Sequence, residues 1–166
     1  LAYGLSSFGL AQTLDIDPAS ASDLMSKYFE RFGGIRDYLK TVVVLAREKG
    51  YTETILGRKR YLPDLNHDNR MRREVAERAA LNAPIQGSAA DIIKIAMLKV
   101  ESAIIDNNLK SRLLLQVHDE LILEVAPGEK EMIENIARNQ MSNAYKLNVP
   151  LDVNIGFGKS WDLAAH

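Results

Sequence analysis

The order of hydrophobic periodicities along this chain predicts an α+β fold: an antiparallel sheet backed by helices, with a helical lobe joined to it near residue 50. Three observations carry that expectation. The first fifty residues repeat their apolar positions at helical spacing. Two later segments alternate with a period of two and double back, as hairpins do. Long helical patterns lie between and after those hairpins, with no internal repeat and no flexible linker.

Taken in order, Leu5, Phe8, Gly9 and Leu14 mark a short amphipathic helix over residues 5–14. Asp17-Pro18 opens the next helix. The acid serves as N-cap, and proline at the first helical position gives up an N–H that has no partner there anyway. Leu24, Met25, Tyr28, Phe29 and Phe32 should be its buried face, and Gly33-Gly34 its break. Ile35, Tyr38, Leu39, Val42 and Val43 stripe a third helix that Gly50 stops. The period changes at Tyr51. Thr52, Thr54 and Leu56 alternate before Gly57, and Arg60-Tyr61-Leu62 return to Pro63, a hairpin with a basic tip. Residues 64–69 read as a polar loop. A helix follows from about Arg70 to Asn82, where Pro84 must end or kink it. Ser88-Ala-Ala-Asp91 then resembles the capping box of another. Pro127-Gly128 opens a helix to about Tyr145, and residues 151–157 alternate as a half-buried strand. Phe8, Tyr28, Phe29, Phe32 and Trp161 are expected to pack inside.

Composition narrows the function only by exclusion. With 46% apolar and 26% charged residues, the 166-residue chain is ordinary for a globular protein, enough for one core or two small lobes. No stretch approaches a membrane span, and no signal peptide is visible. The absence of cysteine rules out disulfides, thiolate nucleophiles and Cys-ligated zinc. It also fits a reducing, cytoplasmic location. The chain begins at Leu1 rather than methionine, so a segment of something longer is expected. The net charge of −1 conceals a segregation. Between Gly57 and Arg78 stand Arg58, Lys59, Arg60, Arg70, Arg72, Arg73 and Arg78 against Asp64, Asp68, Glu74 and Glu77, a balance of 7 − 4 = +3 that leaves −4 elsewhere. Such a cluster points to a polyanion such as nucleic acid, although a solvated helix face produces it too.

The stretch Leu113-Leu-Leu-Gln-Val-His118-Asp119-Glu120-Leu-Ile-Leu-Glu-Val125 holds the strongest chemical signal. Two apolar runs, expected to be covered on both faces, are joined by one imidazole and two carboxylates. A hairpin this apolar ordinarily has Asn-Gly or Asp-Gly at its turn, which needs positive φ. Here charge occupies the turn. With no lysine or arginine beside them, Asp119 and Glu120 suit a divalent cation better than a salt bridge, the alternative being a solvated polar turn. A two-metal site for in-line phosphoryl displacement needs a further carboxylate on a separate strand. The chain offers none in a comparable apolar setting; Asp152 lies on the polar face of its alternating segment. An HD-type metal phosphohydrolase would need more histidines than His67, His118 and the terminal His166.

Arg78, Asn82 and Gln86 recur at i, i+4, i+8. One cation and two amides in a row could read nucleic-acid edges or form an ordinary polar face. Ala79, Ala80, Ala83, Ala89 and Ala90 around them are small enough to let a duplex come close. Tyr3-Gly4 is either a core residue with a helix C-cap or a ring that stacks on a base.

Tyr3-Gly-Leu-Ser-Ser-Phe-Gly-Leu10, Gly57-Arg-Lys-Arg-Tyr-Leu-Pro63, Glu77-Arg-Ala-Ala-Leu-Asn-Ala-Pro-Ile-Gln-Gly-Ser-Ala-Ala-Asp91 and Gln116-Val-His-Asp-Glu120 occur here in that order. In these four motifs the chain resembles the C-terminal part of bacterial family A DNA polymerases, down to Trp161-Asp162 and a natural end at His166. The resemblance implies that residues 1–50 are a helical part of the fingers and residues 51–166 the C-terminal part of the palm. It implies that Asp119 binds the catalytic magnesium ions, two in the intact enzyme, with Glu120 as its acidic neighbour. It places His118 near the primer terminus, and Arg78, Asn82 and Gln86 on the primer–template duplex, partly in its minor groove. Tyr3 falls near the templating base. The family's other metal-binding aspartate, and the fingers residues that hold the incoming nucleotide, would lie upstream of Leu1. The implied activity is template-directed DNA synthesis from dNTPs in replication and repair, by a monomer. The isolated segment should be inactive, a nucleic-acid-binding module at most. A two-metal nuclease is the third reading.

Overall fold

The computed structural model describes residues 6–164. Helices α1 (Ser7–Leu14), α2 (Pro18–Arg31) and α3 (Gly33–Lys49) come first, then the hairpin β1 (Tyr51–Glu53) and β2 (Lys59–Tyr61) and a 3₁₀ turn over Pro63–Asn66. Helix α4 runs Arg70–Asp106, followed by strands β3 (Arg112–Val117) and β4 (Glu120–Glu124), helix α5 (Lys130–Ser142) and a 3₁₀ turn at Trp161–Leu163. The fold is α+β, with two antiparallel two-stranded sheets among the described residues. Two compact units divide between Ser88 and Ala89, inside α4.

In the first unit the helix start at Asp17-Pro18 and the stop at Gly50 fall where the sequence places them. Asp17 accepts the Ser20 hydroxyl and the N–H groups of Ser20 and Ala19, both at 2.9 Å; the Ser20 hydroxyl first, then the Ser20 N–H, hold its carboxyl below the usual range. Gly50 closes α3 with φ 77°, returning its N–H to Ala46 O. The helix break falls one residue earlier than expected. Phe32 caps both helices at φ −117°, ψ 54°, and Gly33-Gly34 already sit in the first turn of α3. The aromatic faces are less buried than their periodicity implied. Leu24, Phe32 and Tyr38 are exposed, Met25, Tyr28 and Phe29 half-buried, and Phe8 is 63% exposed. What these helices enclose is small: Leu10, Ala11 and Ala21 in one cluster, with Ala46, Leu62, Leu65, Ala76 and Ala80 in another. Residues 64–69, read as a polar loop, begin as the 3₁₀ turn and bury Leu65 at 1% exposure.

Pro84 neither ends α4 nor yields to a new helix at Ser88; one helix passes through both. The missing N–H and the ring's crowding of the preceding turn cost about 3 kcal/mol. Burial on both sides outweighs that cost. Ala76 and Ala80 pack on Ala46, Leu62 and Leu65, while Ile93, Ala96, Val100 and Ile104 form the apolar face beyond Ala89. The Ser88 hydroxyl, instead of capping a helix start, donates back to Pro84 O and accepts Ile55 N–H at 2.9 Å.

In the second unit Val100, Ile104 and Ile133 are the core, with Leu121, Leu123, Val125, Ile136 and Met141 packed around them. Only one face of the β3–β4 hairpin is therefore covered. Leu114 and Leu115 are exposed, correcting the expectation of two covered faces. A register shift between Leu113 and Leu115 marks a bulge at Leu114. Residues 151–157 keep the predicted alternation of burial but form no ladder, because no strand pairs with them among the described residues. Trp161, expected inside, is 48% exposed.

A carboxylate ties the hairpin down. Glu129 accepts Lys110 N–H at 2.9 Å, Ser111 N–H at 2.9 Å and the Ser111 hydroxyl at 2.6 Å, and that hydroxyl accepts Ala126 N–H. The Lys110 backbone bond, followed by the Ser111 hydroxyl, holds its carboxyl below the usual glutamate range. A lowered folded-state pKa stabilises the fold above the unfolded value, about 4.3, and that stabilisation fades as pH falls through the folded value. Glu129→Gln should melt below wild type at neutral pH. The gap should close in melts below about pH 4; a gap independent of pH would count against the clamp.

Candidate functional site

The predicted site residues fall on two elements. In the second unit Val117 pairs with Glu120, so His118 and Asp119 form a two-residue turn. His118 has φ 52°, the left-handed conformation sought in this turn. For a non-glycine residue it costs about 1–2 kcal/mol. The bond from Gln116 Nε2 to His118 O, 2.7 Å long, helps to hold it. Sequence reasoning gave Gln116 no separate role; its signal was a lone amide interrupting an apolar strand. Glu120 begins β4 and is half-buried, on the same face as Ile122 and Glu124, opposite to the packed Leu121 and Leu123. The Asp119 carboxylate is exposed and makes no hydrogen bond or ion pair among the described residues. Its lone pairs are open to a hard cation.

Among the described residues no group of three or more His, Asp or Glu side chains converges to hold a metal ion. Asp119 and Glu120 fit magnesium as oxygen donors, but as part of a ligand set. His67 belongs to other work: its Nδ1 accepts Asn69 N–H at 2.9 Å and its Nε2 lies 3.3 Å from Arg72.

In the first unit Arg78, Asn82 and Gln86 lie along α4, and the helix continues through Pro84, so Gln86 keeps its place on the row. Asn82 Nδ2 donates to Gln86 Oε1 at 2.8 Å. Arg78 is exposed, and its guanidinium is unengaged among the described residues. Other members of the basic segment are tied into the fold. Arg58 donates to Gly87 O, Arg70 to Glu74, and Arg73 to the carbonyls of His67 and Asp68. Glu77 is held by Arg47. The alanines also divide: Ala80 is fully buried, whereas Ala89 and Ala90 are exposed. Tyr3 lies outside the described residues.

The model of DNA polymerase family A matches residues 1–163. This chain belongs to the family A DNA polymerases. DNA polymerase I of Mycobacterium tuberculosis (strain ATCC 25618 / H37Rv) is 61% identical to it over 166 residues, 100% of this chain and 18% of the relative. DNA polymerase I of Caldicellulosiruptor bescii is 45% identical over 161 residues, 97% of this chain and 19% of the relative. The POL domain of Pol1 from M. smegmatis, solved in complex with DNA primer-template and dNTP, matches with a TM-score of 0.96 at 62% identity, over 99% of this chain and 29% of that one. This family A polymerase chain thus spans about a fifth of the length of the curated relatives it matches. No described helix is long and apolar enough to cross a membrane.

Proposed function

We propose that this chain supplies the palm and part of the fingers of a DNA-directed DNA polymerase acting in replication and repair, with residues 1–50 in the fingers and 51–166 in the palm. The carrying observation is the match to a polymerase domain whose solved complex holds primer-template and dNTP. In the proposed reaction the primer 3′-hydroxyl attacks the α-phosphorus of the incoming dNTP, a new P–O bond forms, and pyrophosphate leaves. Asp119, with Glu120 beside it, would hold magnesium, which when bound polarises the attacking hydroxyl and neutralises charge on the triphosphate. The hairpin contributes position: a two-residue turn on a packed pair of strands leaves Asp119 little freedom to wander. His118 would lie by the primer terminus. Arg78 would set a positive charge against the duplex, Asn82 and Gln86 would meet base edges common to all pairs, and Tyr3 would adjoin the templating base. The working protein is a cytoplasmic monomer in this reading.

Primer extension with magnesium tests it, run on residues 1–166 and on the longer polymerase that contains them. Extension is expected from the longer protein alone, since two adjacent carboxylates cannot fill the coordination of two ions. Duplex binding should weaken with salt as phosphate contacts release counterions. Duplex degradation without triphosphates would replace this reading with a nuclease.

A further inference from the structure

We infer that Gln116 is a positioning residue for Asp119: its side-chain amide holds the His118 carbonyl and so selects one of two turn forms open to the hairpin tip. A two-residue hairpin loop ordinarily has positive φ either at both central residues or at the first alone, where glycine is favoured. Of His118 and Asp119, His118 alone has positive φ, at 52°. The tip therefore takes the second form without the glycine. The two forms differ by a rotation of the peptide plane between the central residues. That plane carries the His118 carbonyl and the Asp119 N–H, and it turns as a unit.

The first form is open to this sequence, because aspartate is among the residues that tolerate positive φ. Adopting it would change φ at Asp119 and swing the carboxylate to a new direction. The contact that opposes the rotation is the bond from Gln116 Nε2 to His118 O, 2.7 Å long. No backbone N–H reaches that carbonyl among the described residues. A carbonyl can meet only the NH₂ end of an amide, so the chemistry of the contact settles its donor. Gln116 is exposed, and packing does not account for an amide in this apolar strand. A backbone conformation disfavoured for residues with a Cβ persists only where its surroundings hold it. Here the holding group stands two residues before the side chain to be aimed. The inference rests on the polymerase reading above, in which Asp119 binds magnesium.

The test uses the longer polymerase. Gln116→Met keeps the length of the side chain and removes its donor, and Gln116→Ala removes the side chain altogether. Manganese(II) binding is read by electron paramagnetic resonance in the complex with primer–template and a non-hydrolysable dNTP analogue. Half-saturating magnesium for extension, duplex affinity and melting temperature are measured beside it. Both variants should weaken manganese binding and raise half-saturating magnesium on the order of tenfold. Duplex affinity should stay within about twofold of wild type, since it comes mainly from phosphate contacts elsewhere, and the melting temperature should not move. Wild-type manganese affinity in both variants would overturn the inference, whether or not they melt earlier. So would a loss of duplex affinity with metal binding intact, which would assign Gln116 to the DNA. Manganese binding as tight in Asp119→Ala as in wild type would instead remove the metal reading of Asp119.

Discussion

Asp119→Ala in the longer polymerase should abolish primer extension while leaving duplex affinity within a few-fold of wild type. The two effects separate because they draw on different contacts. Affinity for primer–template comes mainly from phosphate contacts spread over many residues, and one lost carboxylate removes none of them. Catalysis would lose the proposed metal ligand at the point where negative charge gathers. That stabilisation is worth several kcal/mol, so the rate should fall by at least on the order of 10³-fold. The fold should not notice. Asp119 is exposed, has no hydrogen bond or ion pair among the described residues, and is not the residue of its turn with positive φ. An unchanged melting temperature would therefore accompany the loss. Extension within tenfold of wild type would remove Asp119 from the metal site.

What could be read from sequence followed from how local the physics was. Asp17-Pro18 and Gly50 act through their own backbone, and both function in the fold as they read. The turn was legible to within one residue, because a short apolar hairpin leaves few places to fold back: a tip of His118, Asp119 and Glu120 was expected, and Glu120 already begins β4. Of the end or kink expected at Pro84, the end does not occur, because the proline's cost is local while the burial that overrides it, of Ala80 on one side and Ile93 and Val100 on the other, is not. Alternation over 151–157 gave the right faces, but a strand is defined by its neighbour, and alternation cannot supply one. The aromatic stripes of α2 and α3 report what a helix can bury, not what is there to cover it. At the candidate site, residue type identified Asp119, Asn82 and Gln86 as groups able to do chemistry. It could not show that Asn82 and Gln86 bond to each other, nor that most of the neighbouring arginines are already engaged.

Gly87→Ala should destabilise the first unit, against the sign that helix propensity assigns it. Inside a helix, alanine is better than glycine by about 0.8–1 kcal/mol. At Gly87, however, a Cβ would lie 2.7 Å from Thr54 Cγ2 of the β1–β2 hairpin. That methyl cannot swing away cheaply, because the Thr54 hydroxyl accepts the N–H groups of Leu56 and Arg58 at 3.3 and 3.1 Å and holds the side chain in place. Forcing a methyl into such a contact costs about 1–3 kcal/mol, enough to outweigh the gain in propensity. The cost should appear as a lower melting temperature and faster exchange of Ile55 N–H, whose bond to the Ser88 hydroxyl closes the hairpin against α4. A second substitution isolates the cause. Thr54→Ser removes Cγ2 and keeps the hydroxyl, so in that background the clash vanishes and only propensity remains. Gly87→Ala should then stabilise by up to about 1 kcal/mol. Destabilisation of the same size in both backgrounds would mean that Gly87 is required for something other than the approach of Thr54.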